Sequence, residues 1–421
     1  MKVLLLFANA FPFGAWEPYL ETEVEYYSSF DRVEIFSLSV RAEQRKSRRA
    51  IADSRIRVHP ISFRSKAFYA IGALRVLFDG ELYRETARLV RQRRLSPRRW
   101  VQLVVFLSRA HHEAGEVVKL IRRHRLVGPE DEVVLYSYRY AYQPYVADIV
   151  RRRITARSVK SVARAHGGDL YEKAASNGYI PLRARVARDV DSVHLVGQHG
   201  LRHLLGSTPE VAGRARVSML GTVDRGLAPA PQGTYEVRII TCSSIVRVKR
   251  LDRLVEALAV SEPGQPIRWV HYGDGPLREG LEAAVATLPE HAAVEFRGEI
   301  ENAKLLDVYR REPFHALVNV SESEGVPVSM MEACSFGIPI VALDVGGVAE
   351  IVEDGVNGRL LPEAVPPEEL ARALVDVALR SGTEGSPLRR GARAVWQQRF
   401  RADENYAGFV ADIASATGPA A

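Results

Sequence analysis

Cysteine is nearly absent: Cys242 and Cys334 are the only two in 421 residues, and both sit in apolar runs. That argues against a disulfide framework and leads us to expect buried free thiols in a reducing cytoplasm. Long apolar runs are also missing. The richest stretches, Trp100–Leu107 and Phe68–Phe78, are short and interrupted, well under the roughly 18 residues that a membrane-spanning helix requires. Met1-Lys-Val-Leu-Leu-Leu-Phe7 runs straight into a turn without a cleavage site, so it reads as a first strand rather than a leader. No cluster of His and Cys suggests a metal site. The first strand-to-helix loop, Asn9–Gly14, lacks the G-x-G-x-x-G pattern, which counts against a dinucleotide-dependent oxidoreductase.

What is present describes a two-domain α/β protein. The length exceeds one ordinary domain, and 47% hydrophobic with 26% charged residues is normal for a globular chain. The formal charge is +7 and the isoelectric point is near 9.4. Such a balance permits nucleic acid, an anionic membrane face or phosphorylated substrates as partners. Residues 84–125 hold twelve Lys or Arg against three Glu, with Trp100 and Phe106 between the basic runs. Two readings stand for this segment: amphipathic helices with solvated charged faces, or a surface that docks on anionic lipid. No motif supports nucleic-acid binding.

Apolar runs place strands at Lys2–Phe7, Val33–Leu38, Ile56–Ile61, Glu132–Ser137, Ser158–Ala165, Val193–Gly197, Val237–Cys242, Ile267–Tyr272, Val294–Gly298, Ala316–Val320 and Ile338–Leu343. Helical patterns alternate with them, including Glu17–Ser28, Gln198–Leu205, Asn302–Arg311 and Val395–Ile413. The Pro/Gly-rich residues 227–234 read as a linker.

The most informative stretch is 321–343. It reads as a loop following a strand, then a helix opened by Pro327 and stopped by Gly337, then another strand. Loops at the C-terminal ends of parallel strands are where such sheets bind ligands. Glu324 lies in the loop and Glu332 on the helix, roughly 7–8 Å along the axis from Pro327. Free amides near Val326–Val328 favour an anion. An anion flanked by carboxylates that accept from hydroxyls describes a nucleotide-sugar. The bland alternative is a solvated loop acid and a helix-surface acid.

Glu324-x7-Glu332, within Ser-Glu-Ser-Glu-Gly-Val-Pro and followed by Gly-Ile-Pro and Val-Gly-Gly-Val-Ala-Glu-Ile-Val, resembles the donor-site signature of the family-4 retaining glycosyltransferases. Arg164-Ala-His-Gly-Gly-Asp-Leu-Tyr171 resembles a stretch of one bacterial branch of that family, of the surface-polysaccharide type. The resemblance spans nearly the whole chain. It implies the GT-B fold, with two Rossmann-like domains facing a central cleft: 1–226 for the acceptor, the linker, 235–394 for the donor, and 395–421 as a helix crossing back.

The resemblance also implies site residues. Gly14, Ser244, Lys249, Gly273, Glu324, Gly325, Val326, Pro327, Val328 and Glu332 would bind the donor, with Lys249 on the diphosphate. His166, Asp169 and Tyr179 would lie on the acceptor side, and His166, Glu324 and Lys249 would carry the chemistry. One departure stands out: Ser244 occupies the position of the family's usual arginine. No metal or cofactor is implied, since the UDP- or GDP-sugar is a substrate. The expected acceptor is a glycan or lipid-linked precursor, and the expected location is the cytoplasm, peripheral at the inner membrane face. The alternative is a nucleotide-sugar-binding or scaffolding protein with weak catalysis.

Overall fold

The computed structural model describes residues 1–172, 175–232 and 235–415. The end of the expected linker, Gly233 and Thr234, and residues 416–421 lie outside the described residues. The chain divides into two units: Met1–Val196 with Gly200–Ser218 and the residues from Tyr406 onward, and Gly197–His199 with Met219–Asn405. No helix among the described residues is long and apolar enough to cross a membrane.

The first unit carries a seven-stranded sheet: β1 (Lys2–Ala8), β2 (Arg32–Val40), β3 (Ile56–Ser62), β4 (Glu132–Ser137), β5 (Ser158–Ala165), β6 (Ser192–Leu195) and β7 (Ala215–Val217). Their order is β3-β2-β1-β4-β5-β6-β7, and every pairing is parallel. β1, β2 and β4 are rich in Val, Leu and Ile because helices cover both faces. One face packs on the helix Pro97–His124 through Leu103, Leu107, Val117 and Ile121. The other packs on Leu20, Val24 and Tyr27, and on Phe409, Val410 and Ile413 near the C-terminus.

At the centre of that second layer lies a fully buried ion pair, Arg164 with Glu23. The Glu23 carboxylate also accepts from Tyr27 Oη at 2.8 Å and Tyr136 Oη at 2.9 Å. Arg164 donates to Ser218 O and stacks 4.4 Å from the Phe409 ring centroid. The arginine of the Arg-Ala-His motif is therefore a core residue, aimed away from the sheet edge that carries His166.

The second unit carries six parallel strands: β8 (Val237–Cys242), β9 (Ile267–Tyr272), β10 (Ala292–Phe296), β11 (Ala316–Asn319), β12 (Ile340–Leu343) and β13 (Gly358–Leu361). The order is β10-β9-β8-β11-β12-β13. In both sheets the winding reverses once, between β1 and β4 and between β8 and β11. Those are the points at which doubly wound sheets open a crevice for a ligand.

The expected helix Val395–Ile413 is two helices, Pro387–Arg399 and Ala402–Ala414. The break is a tertiary effect. Thr222 N donates to Phe400 O at 2.8 Å and Ala402 N to Thr222 O at 3.1 Å, so a short strand-like bridge takes the backbone groups that a continuous helix would use. The basic segment is also partly core: Phe106 packs against the first unit's interior, while Trp100 stays 41% exposed.

Candidate functional site

Cys242 ends β8 and Asn319 ends β11, and the loops that follow them meet at the second sheet's reversal point. Cys242, Ser243, Lys249, Asn319, Ser321 and Ser329 line a small crevice there. The two loops are tied together: Glu322 N donates to Val248 O at 2.8 Å, and Lys249 Nζ donates to Glu324 Oε1 at 2.7 Å. Asn319 Nδ2 donates to the same oxygen at 3.1 Å, while its own Oδ1 accepts from Ser321 N. Glu324 Oε1 is thus held by two donors, and Oε2 is left for another partner.

Pro327 is the N-cap of the helix Val328–Ser335, one position earlier than expected, and no side chain caps that end. The first amides of the helix are therefore open to an anion. The helix stops as predicted. Gly337, at φ +71°, donates to Cys334 O, and Ile338 N donates to Ala333 O, both at 2.9 Å. This double C-terminal hydrogen bond needs a left-handed residue, which glycine adopts without strain.

The Glu324–Gly325 backbone rests on the Gly346-Gly347 turn. A Cβ on Gly346, at φ +58°, would lie 1.9 Å from Glu324 O, and one on Gly347 would lie 2.2 Å from Gly325 O. These glycines let two backbones touch and so fix where Glu324 begins. Gly273 works the same way one loop over, since a Cβ there would lie 1.9 Å from Ser243 O. Its role is thus to seat the Ser243–Lys249 loop.

Glu332 is buried on the helix flank and accepts from Asn302 Nδ2 at 2.7 Å. Burial pushes its carboxyl up to about 7, against the opposing effects of Asn302 and Arg225. The sign of the pH effect follows. Between the unfolded value of 4.5 and about 7, the folded state keeps a proton that the unfolded chain has lost. Glu332 therefore costs stability as pH rises through that window, up to about 3 kcal/mol. We expect Glu332→Gln to be the more stable protein at pH 8 and to lose this part of the slope. Urea midpoints at pH 5 and pH 8 check it, and identical slopes for both proteins would remove Glu332 as the cause.

Ser244 is exposed, as is Arg247, and Arg250 is occupied by Asp252 at 2.9 Å. Lys249 is therefore the cation this loop aims at the crevice. Gly325, Val326 and Val328 lie between Glu324 and the helix start, within the same small stretch.

In the first unit, His166 follows β5. Its Nε2 donates to Tyr138 O at 3.1 Å, and its side chain accepts from the Asp169 N–H in a capping box at the start of the short helix that follows. Burial, then Arg139 and Arg164, hold its pKa well below the usual histidine value. A ring so held is a poor proton store at neutral pH. Asp169 is buried, pairs with Arg139 at 3.1 Å and accepts from His166 N at 3.3 Å, so it positions the His166 turn. Tyr179 is a correction. It is 3% exposed, its hydroxyl donates to Glu85 at 3.0 Å, and it belongs to the core.

Gly14, at φ +66°, needs glycine for its turn, and its N–H goes to Ser47 O. The loop amides before it are also engaged. Those of Asn9, Ala10 and Phe11 all donate to the Glu17 carboxylate at 2.8–3.0 Å. A resident carboxylate thus occupies the amides of the loop that carries Gly14. The one Asp-x-Asp of the chain, Asp189–Asp191, is likewise engaged: Asp189 pairs with Arg185, and Asp191 pairs with Arg151 and accepts from Ser161 N.

Residues 231–386 match the family described as glycosyl transferases group 1. The GtfA subunit of the Streptococcus pneumoniae UDP-N-acetylglucosamine–peptide N-acetylglucosaminyltransferase is 29% identical over 34% of this chain and 28% of its own length. The Escherichia coli putative colanic acid biosynthesis glycosyltransferase WcaL is 25% identical over 56% of this chain and 59% of its own. The chain thus spans about a quarter to three fifths of these curated relatives. The solved structure of Anabaena HepE in complex with UDP superposes with a TM-score of 0.65, covering 99% of this chain and all of that one at 16% identity. The two parallel-sheet units have the GT-B fold of such glycosyltransferases.

Proposed function

We propose that the chain is a retaining glycosyltransferase that moves a sugar from a UDP- or GDP-linked donor to a hydroxyl of a glycan or lipid-linked acceptor in polysaccharide assembly. The observation that carries this reading is the Lys249–Glu324 pair at the β8/β11 reversal, beside the uncapped helix start at Val328. The donor diphosphate takes the Lys249 ammonium and the helix amides, the sugar hydroxyls donate to Glu324, and the nucleotide hydroxyls donate to Glu332. As the bond from the anomeric carbon to the diphosphate oxygen breaks, the negative charge grows on that oxygen, where Lys249 already stands. The acceptor oxygen attacks from the same face and its proton passes to the departing diphosphate. This scheme requires no bound cation and no cofactor.

Incubation with UDP- and GDP-sugars and a lipid-acceptor extract tests the reading: donor disappears and free nucleoside diphosphate accumulates with glycosylated product. His166→Ala is expected to slow transfer while donor affinity holds. A wild-type protein that binds nucleoside diphosphate yet never turns over would favour the binding or scaffolding role that the uncharged Ser244 suggests. Failure to bind any nucleoside diphosphate would sink both readings.

A lipid-linked acceptor would place the protein at the inner face of a membrane. The exposed apolar residues of the first unit support that location, but over 63–101 rather than over the whole of 84–125. Phe78 is 92% and Leu74 73% exposed, with Phe63, Phe68, Leu77, Tyr83 and Trp100 also at the surface. Exposed Arg75, Arg84, Arg91, Arg93 and Arg98 lie among them. Each basic residue near an anionic surface contributes about 1 kcal/mol, screened by salt. Arg94 and Arg99 bind the Asn177–Gly178 backbone and belong to the fold. We expect sedimentation with phosphatidylserine-rich liposomes at low salt, release at high salt, and release by joint charge reversal of Arg91, Arg93 and Arg98. A protein that stays in the supernatant at low salt leaves the segment a solvated face.

A further inference from the structure

Away from the donor residues, the first unit contains a cavity of about 150 Å³ at the C-terminal edge of its own sheet. Asn9 follows β1, Ser39 and Arg41 lie at the end of β2, and Trp16, Phe63 and Arg109 complete the walls. Gly14 lies beside its wall, next to Gln44, and Lys249, Glu324, Glu332 and His166 do not line it. A cavity of this volume holds one six-membered ring.

The walls supply two kinds of chemistry. Trp16 is 56% and Phe63 39% exposed, so both offer apolar faces to a flat partner. The guanidiniums are the second kind. Arg109 is held rigidly: its Nε donates to Glu113 at 2.8 Å, its Nη2 donates to Tyr142 Oη at 2.6 Å, and it lies 3.9 Å from the Tyr142 ring centroid. Glu113 is fully buried, and burial raises its carboxyl pKa against the opposing effect of Arg109. Arg41 lies 5.3 Å from the Phe63 ring centroid, and its backbone N–H is held by Gln44. Two guanidiniums on one small cavity match a carboxylate or phosphate. Asn9, fixed by Gln143 at 2.7 Å, and Ser39 add neutral hydrogen-bonding groups for hydroxyls.

We propose that this cavity binds one pyranose ring carrying an anionic group, a uronate carboxylate or a sugar phosphate, as a recognition subsite for the acceptor. The inference rests on the glycosyltransferase reading for the word acceptor, but not for the binding itself. The apolar ring face lies on Trp16 and Phe63, and the anion sits between Arg41 and Arg109.

Calorimetry on the full chain tests it with four probes: glucuronate, glucose 6-phosphate, methyl glucoside and inorganic phosphate. At least one of the two anionic sugars is expected to bind tenfold or more tightly than both methyl glucoside and phosphate, and which one does so identifies the anion. Trp16→Ala and Arg41→Gln alter exposed side chains and spare the fold. Each should weaken that sugar at least tenfold and leave nucleoside diphosphate affinity unchanged. Equal binding of all four probes, no binding of either anionic sugar, or unaltered binding by both variants overturns the inference. Loss of the proposed function would appear separately, as a wild-type chain that binds the anionic sugar but no nucleoside diphosphate.

Discussion

Glu23→Ala is expected to destabilise the first unit by about 3–5 kcal/mol, because it leaves the Arg164 guanidinium buried and without its carboxylate. Tyr27 and Tyr136 lose their acceptor in the same step. Removing either hydroxyl alone, as Tyr27→Phe or Tyr136→Phe, should cost about 1.5–3 kcal/mol, the range for a hydrogen bond to a charged group. The double replacement Glu23→Leu with Arg164→Met is the informative control. Taking out both charges spares the desolvation of each, so the pair of changes should be far milder than Glu23→Ala alone. Denaturant midpoints for the four proteins decide the matter. A Glu23→Ala protein within 0.5 kcal/mol of wild type, on the order of a neutral surface change, would show that the ion pair contributes little.

The second large effect is on turnover. Lys249→Ala should lower the transfer rate on the order of 10²–10³-fold, the range seen when one preorganised donor is removed from a developing negative charge. Lys249 has two partners in this scheme, Glu324 in the free protein and the diphosphate in the complex. Its removal therefore frees the Glu324 carboxylate as well, adding a repulsive charge near the phosphates. Glu324→Ala should cost less, about 1.5–3 kcal/mol for a hydrogen bond to a charged acceptor. Ser244→Arg should tighten nucleoside diphosphate binding by restoring a second cation at the loop. Unchanged affinity and rate in Lys249→Ala would move the phosphate site elsewhere.

The readable part of this fold was the part written in local pattern. Most long strands are apolar runs bounded by turn residues, and β4, β5, β8 and β9 fall where the sequence places them. The edge strands β7 and β13 escaped because Ala215–Val217 and Gly358–Leu361 are too short to show a period. The division of the C-terminal helix at Phe400 has no glycine or proline to announce it. It depends on Thr222, nearly two hundred residues earlier. At the candidate site, Glu324, Glu332 and Lys249 stand out in the sequence through motif and position, and the structure pairs Lys249 with Glu324. Asn319 and Asn302, which hold those carboxylates, were not, because a single asparagine after a strand or at a helix start carries no signal. Tyr179 misled for a related reason: its neighbours resemble an acceptor loop, but a buried Glu85 takes its hydroxyl. Glu17 shows the limit most clearly. Nothing in a lone acid announces that three consecutive amides will turn towards it.

The placement of Phe409, Val410 and Ile413 has a consequence for how the protein is made. These residues complete the apolar layer of the first unit, yet they leave the ribosome only after all of the second unit. Until then the nascent first unit carries an uncovered apolar face beside Leu20, Tyr27 and Tyr136. The second unit, apart from Gly197–His199, is one stretch, Met219–Asn405, and has emerged in full before that layer can close. Emergence of the segment that carries Phe409, Val410 and Ile413, rather than of the first unit's own strands, is then expected to set when that unit becomes resistant to protease.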